Sequence, residues 1–348
     1  MSDVFSPSFR NRVIGLYGFL VSLNIGAWIW ALVAFHNKPI LLGTALLAYT
    51  FGLRHAVDAD HIAAIDNVTR KLMQENKRPV SVGFFFSLGH STIVVIAALI
   101  VYIAASTVES QMDIVKEIGG LIGTSVSAVF LIFIAIINIV ILRGVWSTFQ
   151  KVRKAGGCVD ESSNMLLAGG VLGRIFRPLF QVLSSPWHMY PIGLLFGLGF
   201  DTATEVAILG ISAAAATSGL TVETMAVFPF LFTAGMTLAD TTDGILMVGA
   251  YGWAFIKPVR KLYYNLTITF VSVVVALLIG GIEVLGVLKD RLNLRGRGWD
   301  LVGSLNDNFG ALGFVIIGIF VLCWIGSALI YRIKGFDRIE PSTQIAAD

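Results

Sequence analysis

The sequence predicts an all-α polytopic membrane protein with about eight transmembrane helices, forming a single membrane domain over residues 1–348. Two observations lead to this fold class. The first is composition: 56% of the residues are hydrophobic and only 14% are charged, whereas soluble domains carry about 25% charged residues. The second is that the apolar residues are gathered into stretches of about 20 residues or more, the length at which a helix crosses a bilayer.

The predicted helices fall into two halves joined by a polar linker. The first half, 12–146, contains spans near 12–35, 39–68, 80–105 and 119–146. The second half, 187–332, contains spans near 187–216, 222–254, 262–288 and 308–332. Within the linker, 147–186, the segment MLLAGGVLGRIFRPLFQVL is either an amphipathic helix at the membrane interface or a surface loop. Residues 333–348 form a tail.

Basic residues predict the orientation of the chain in the membrane. Lys and Arg are concentrated in the N-terminus, in the segments near 69–79, 147–186 and 255–261, and in the tail. Because cytoplasmic loops normally hold this excess, we expect a multi-pass protein of the cytoplasmic membrane with both termini and the linker in the cytoplasm. The basic residues are scattered and have few neighbouring aromatics, so they indicate contact with lipid headgroups and not with nucleic acid.

Two pairs of motifs indicate an internal repeat. FGLRHAVDADHIA, from Phe51, resembles FGLGFDTATEVA, from Phe196, and FSLGHS, from Phe86, resembles FTAGMT, from Phe232. The spacing relates predicted helices 2 and 3 to helices 5 and 6. A shift by three helices turns the second copy upside down, and transporters built from such inverted repeats commonly bind their substrate near the bilayer midplane.

The first repeat motif carries an unusual density of charge for a membrane helix. Its ionisable residues are Arg54, His55, Asp58, Asp60, His61 and Asp66. Each such side chain costs about 2.5–3.5 kcal/mol at the bilayer centre, so the group requires a compensating partner. Imidazole nitrogen together with carboxylate oxygen suits divalent ions such as nickel, cobalt or zinc.

In an ideal helix, His55, Asp58 and His61 form one stripe, since they follow each other at intervals of three. Asp66 joins the same side near His55, whereas Asp60 points elsewhere. We therefore predict His55, Asp58, Asp60 and His61 as metal ligands, with Asp60 as either a ligand or an outer contact. The alternative is a polar seam in which His and Asp pair with one another, but the group is larger than helix cohesion usually needs.

Further polar residues lie at similar depth in other helices and are predicted to support this site. They are Asp66, His90, Asp201, Glu205, Met236, Asp240 and Asp243. Each has a simpler interpretation: His90 as a structural hydrogen-bonding group, Met236 as a packing residue, and the carboxylates as proton relays. Arg54 is expected to neutralise one of the carboxylates.

With RHAVDADHI, LGHS, LGFDTATE and the GM preceding Asp240, the chain resembles the nickel/cobalt transporters, whose HxxxxDH signature falls here on His55, Asp60 and His61. The resemblance covers the whole membrane core. It implies uptake of nickel or cobalt, with metal as the cargo and no cofactor, and a chain that is not an enzyme. It also implies that His55, Asp58, Asp60 and His61 are essential, with the residues of the other motifs supporting them. The chain lacks the histidine-rich loop of related efflux permeases, which favours import.

Other functions remain to be weighed against uptake. Efflux of the same metals is the nearest alternative. An intramembrane metalloenzyme is less consistent with five histidines and no HExxH motif. A membrane-bound metal sensor would bind metal without moving it. No nucleotide-binding motif is present, so we expect secondary transport by alternating access, without an ATPase subunit.

Overall fold

The computed structural model describes residues 7–75, 77–105, 112–154, 183–198, 202–254 and 258–333. Regular structure in these ranges consists of helices, and no strand is found there. The helices are α1 Pro7–Phe35, α2 Pro39–His55, α3 Ala59–Gln74, α4 Val82–Ala105, α5 Met112–Lys154, α6 Met189–Phe196, α7 Ala203–Thr217, α8 Val222–Ala254, α9 Pro258–Arg291, α10 Arg297–Asn306 and α11 Phe309–Ile333. The predicted all-α fold class is confirmed.

Within the described ranges, five helices are long and apolar enough to cross a membrane on their own, namely α1, α4, α5, α8 and α9. Two bent pairs, α2 with α3 and α10 with α11, raise the number of candidate spans to seven. The predicted span 187–216 is divided between the short helices α6 and α7, and residues 199–201 between them lie outside the described ranges. The structure therefore supports a polytopic membrane protein with five to seven of the eight predicted spans.

The predicted span 39–68 is not one helix, because α2 and α3 are bent by 51° at a break. α2 ends at His55, and Asp58 has an extended backbone, with φ −65° and ψ 147°, before α3 begins. The continuous helical stripe that placed Asp58, His61 and Asp66 above His55 was therefore wrong. The break replaces it with two helix ends that can direct side chains into one space.

Helix α3 is the central helix of the bundle, and almost every residue from Ala59 to Gln74 is buried. It packs against α4, α5, α8, α9 and α11. The helix extends beyond the predicted span, so Arg70 and Lys71 are buried within it. Their placement in a loop facing lipid headgroups was wrong. Lys71 Nζ instead donates to the Leu183 carbonyl at 2.7 Å and pairs with Glu75 at 2.9 Å.

Two helix crossings surround the break, and glycine makes each of them possible. α2 crosses α8 where a Cβ on Gly52 would lie 2.0 Å from the Phe232 carbonyl oxygen, and α4 crosses α6 where a Cβ on Gly193 would lie 2.0 Å from the Phe86 carbonyl oxygen. Any side chain at either glycine would force the helix backbones apart. Each crossing joins one predicted repeat unit to the other. The inverted repeat itself stays a prediction.

The segments between the predicted spans differ from the expectation at two places. α5 continues to Lys154, so the first part of the predicted linker is helical. The region between the last two predicted spans contains the short helix α10. The predicted amphipathic segment of the linker and most of the tail lie outside the described residues.

Candidate metal site

The candidate site lies where the α2–α3 break faces the middle of α4 and the first turn of α7. Asp58 is the residue before the first turn of α3, but its carboxylate does not cap that helix. Its Oδ2 instead lies 3.0 Å from His55 Nδ1. On the other side, Thr202 has a similarly extended backbone and caps α7 through the Glu205 amide, so Glu205 projects from the first turn. Two helix starts thus supply carboxylates to the same space.

Three histidines meet in this space. His55 at the end of α2, His61 in the first turn of α3 and His90 in α4 are each at most 2% exposed. Their ring centroids are 4.6–4.9 Å apart. One nitrogen from each ring can be chosen so that all three lie within 4.8 Å of one another. His55 Nε2 and His90 Nε2 approach to 3.0 Å. The predicted ligands His55 and His61 are therefore joined by His90.

Each imidazole has a carboxylate beside it. Asp58 contacts His55, Glu205 Oε1 lies 2.9 Å from His90 Nε2, and Asp240 Oδ2 lies 3.3 Å from His61 Nδ1. Glu205 Oε1 is also 3.7 Å from His55 Nε2, so this carboxylate bridges two of the rings. A carboxylate that accepts from one ring nitrogen fixes the tautomer and raises the basicity of the other nitrogen, as in metal sites.

In His55 and His61 the nitrogen opposite the carboxylate is Nε2, whereas in His90 Nε2 is itself the nitrogen that Glu205 contacts. With Nδ1–H of His61 donated to Asp240, its Nε2 carries the lone pair, and this nitrogen is buried without a hydrogen-bond partner among the described residues. With Nδ1–H of His55 donated to Asp58, its Nε2 lone pair points at His90 Nε2. His90 Nε2 lies against both His55 Nε2 and Glu205 Oε1, so this space holds either the Nε2 proton of His90 or a cation that would replace it. The three rings are therefore the candidate cation site.

Aromatic rings support the imidazoles from both repeat units. Phe86 of α4 packs edge-on against His61 with centroids 4.8 Å apart, and Phe232 of α8 packs against His55 at 5.6 Å. These are the phenylalanines that begin the FSLG and FTAG motifs. Sequence reasoning used them only to align the repeat and did not assign them to the site.

Two threonines of α7 were also missed. Thr204 Oγ1 lies 3.2 Å and Thr202 Oγ1 lies 3.4 Å from His55 Nδ1. The Thr202 hydroxyl donates to Glu205 Oε2 at 2.9 Å, so it orients that carboxylate. Both threonines lie in the DTATE motif beside the predicted Glu205, and that proximity was the available signal.

The remaining predicted residues do not contact the three imidazoles in the hydrogen bonds described above. Asp60 is partly buried, and its Oδ1 has no hydrogen-bond partner among the described residues. Met236 is fully buried in an apolar cluster with Phe232 and other side chains of α8, as expected of a packing residue. Asp201 lies outside the described ranges. Arg54 is exposed beside Gly310 of α11, where Asp58 Oδ1 also lies.

Asp66 and Asp243 lie further along α3 and α8. Asp66 Oδ2 accepts a hydrogen bond from Ser272 Oγ of α9 at 2.7 Å. Asp243 Oδ2 is buried with no hydrogen-bond partner among the described residues. Neither carboxylate is among the groups that contact the three imidazoles in the hydrogen bonds described above.

Comparison with protein families identifies the family to which the chain belongs. Residues 41–330, which include the break, α4, α7 and α8, match the family model NicO, described as high-affinity nickel-transport protein. The chain belongs to the NicO family. This membership confirms the predicted resemblance to nickel/cobalt transporters, and with it a transporter and not an enzyme, whose metal is cargo and not cofactor.

Similar proteins extend over almost the whole chain. The high-affinity nickel transport protein of Cupriavidus necator is 57% identical over 95% of this chain and 95% of its own. The high-affinity nickel-transport protein NixA of Helicobacter pylori is 41% identical over 92% of this chain and 98% of its own. The cobalt transport protein NhlF of Rhodococcus rhodochrous is 38% identical over 93% and 94%. No solved structure matches the chain.

Proposed function

We propose that the protein carries nickel, cobalt or both into the cytoplasm by alternating access around His55, His61 and His90. The NicO family and its nickel-named members support the substrate. The buried, carboxylate-oriented imidazoles support the position of the site. The charge distribution of the loops supports a cytoplasmic membrane protein with both termini inside.

The observation that carries the proposal is the meeting of three buried imidazoles, with one nitrogen of each within 4.8 Å of the others. Imidazole nitrogens bind divalent ions such as zinc at about 2.0–2.1 Å, so two nitrogens on one ion are at most about 4.2 Å apart and the rings close slightly when they bind it. Imidazole suits nickel, cobalt and zinc alike, so the family and not the ring geometry favours nickel and cobalt.

In this proposal the three imidazoles and Glu205 bind the ion directly. Asp58 and Asp240 stand behind His55 and His61 and keep their proton-free nitrogens toward the ion. Asp60 is either a further ligand or an outer contact, as predicted from the sequence. Because the site joins α2 and α3 with α4 and α7, movement of the two halves relative to each other opens it to one side of the membrane at a time.

The membrane potential favours transport of a cation into the cytoplasm. An inside-negative potential favours entry by about 2.3 kcal/mol per elementary charge per 100 mV, and by about twice that for a divalent ion. Uptake therefore needs no ATP, which agrees with the absence of a nucleotide-binding motif in the sequence.

The test is accumulation of radioactive nickel in metal-starved cells that express the intact protein, His55→Ala or Asp58→Asn. We expect expression of the intact protein to raise cell-associated nickel and both variants to lose the increase while remaining in the membrane. His36→Ala, at an exposed histidine beyond the end of α1, is the control and should transport normally. Lower cell-associated nickel on expression would indicate efflux. Normal uptake by both site variants would refute the assignment of the site.

A further inference from the structure

A second group of oxygen donors lies deeper along the same two helices. Asp66 is five residues beyond His61 on α3, about 7.5 Å further at 1.5 Å per residue, and Asp243 is three residues beyond Asp240 on α8, about 4.5 Å further. His61 meets Asp240, and beyond that point Ile65 meets Gly244, where a Cβ on the glycine would lie 3.5 Å from Ile65 Cγ2. The two helices therefore run in the same direction at this contact, and both carboxylates lie on the same side of the histidine site.

These carboxylates flank the point where α3 and α8 touch, because Asp66 follows Ile65 and Asp243 precedes Gly244. Asp243 Oδ2 is buried and has no hydrogen-bond partner among the described residues. Arg70 lies buried one turn beyond Asp66, and a divalent cation bound between the two carboxylates would add to its positive charge.

Neutral hydroxyls complete the donor set. Ser272 of α9 donates to Asp66 Oδ2 at 2.7 Å. Thr69 lies one turn beyond Asp66 on the same face of α3, is fully buried, and its Oγ1 has no hydrogen-bond partner among the described residues. A threonine in a helix usually satisfies its hydroxyl on the preceding turn, so an unpaired buried hydroxyl beside a carboxylate indicates a ligand.

We propose that Asp66, Asp243, Ser272 and Thr69 form a second binding site for the transported divalent ion, which it occupies after it leaves the three histidines. We refer to these four residues as the oxygen site. This inference rests on the proposed function, since it concerns the path of the same cargo.

The chemistry of the two sites differs in the way that transport requires. Nickel and cobalt bind imidazole nitrogen more strongly than they bind oxygen, so the histidine site is the tighter of the two and the oxygen site the weaker. A pathway conducts only if its sites bind well enough to be entered and weakly enough to be left. Release from the weaker oxygen site is the step that frees the ion.

The test is isothermal titration calorimetry, in which nickel chloride is added to the purified full-length protein in lipid nanodiscs and the heat of nickel binding is measured. The wild type is expected to show a tight step and a separate weaker step. Asp243→Asn and Thr69→Val should weaken the second step by at least about tenfold, the loss that follows removal of even an outer partner of a metal ligand, and should leave the tight step unchanged. His55→Ala should remove the tight step and retain the weak one. Asp300→Asn, at an exposed residue of α10, is the matched control and should change neither step.

The outcomes separate this inference from the proposed function. A single tight step in the wild type, unchanged in Asp243→Asn, would overturn the oxygen site and leave the histidine site intact. Loss of both steps in His55→Ala, or loss of the tight step in Asp243→Asn, would show one composite site and would also overturn it. Absence of any nickel binding by the wild type would instead refute the proposed function. Thermal unfolding of each variant distinguishes a lost ligand from a lost fold.

Discussion

Asp240 can support nickel binding by His61 in two ways: its oxygen accepts a hydrogen bond that holds the ring, and its negative charge makes the imidazole more basic. Two substitutions separate these contributions. Both side chains are completely buried, and Asp240 Oδ2 lies 3.3 Å from His61 Nδ1. Asp240→Asn keeps an oxygen that can accept from Nδ1–H but removes the negative charge. Asp240→Ala removes both the acceptor and the charge, and it frees the imidazole to rotate or to change tautomer.

The expected magnitude follows from the behaviour of such outer partners, whose loss typically lowers metal affinity by about 10- to 100-fold. We assign the lower end, about 1.4 kcal/mol, to the asparagine and the upper end, about 2.7 kcal/mol, to the alanine. The order follows because the asparagine still holds the ring in place.

The assay is nickel binding to the purified variants by isothermal titration calorimetry, with Asp290→Asn at an exposed position of α9 as the control. Affinities in the order wild type, asparagine, alanine would support the orientation of His61 by Asp240. Wild-type affinity in the alanine variant, with the fold intact, would refute the reasoning, because His61 would not then depend on its carboxylate.

Three further predictions concern protonation, packing and a buried charge. Nickel affinity should fall between about pH 7 and about pH 5, because protons compete for the imidazole lone pairs that bind the ion, and affinity that rises on acidification would contradict this. Gly193→Ala should lower the unfolding temperature and destabilise the protein by about 1–3 kcal/mol or more through overpacking, whereas Gly249→Ala, which has open space around it, should not. Lys71→Met should cost about 1–3 kcal/mol by leaving a buried carbonyl unpaired, and equal stability of this variant and the exposed Lys38→Met would argue against the contact.

The sequence was sufficient to find the histidines but not their geometry. His55 and His61 stood out because ionisable residues are rare in apolar helices, and His90 followed from the aligned FSLGHS motif. The break after His55 was not predicted, since AVD contains neither proline nor glycine and the apolar pattern continues across it. The break depends on packing: a Cβ on Gly313 of α11 would lie on the Val57 carbonyl, so only glycine allows α11 to come this close to the extended segment.

Other differences also come from tertiary contacts. Arg70 and Lys71 were assigned to a loop because basic residues usually mark the membrane surface. In the structure Lys71 is paired with Glu75 and donates a hydrogen bond to the Leu183 carbonyl, which is distant in sequence. Thr202 and Thr204 went unnoticed because hydroxyls are common in membrane helices, where they usually bond the preceding turn. Their significance depends on a helix start that only the fold reveals.

The most direct test of the central claim is nickel K-edge X-ray absorption of the nickel-loaded protein, compared with the His90→Ala variant. We expect the scattering of imidazole rings in the wild type and a reduced imidazole contribution in the variant. A coordination shell of oxygen alone, or a spectrum unchanged by the loss of His90, would contradict a transport site built on these three histidines.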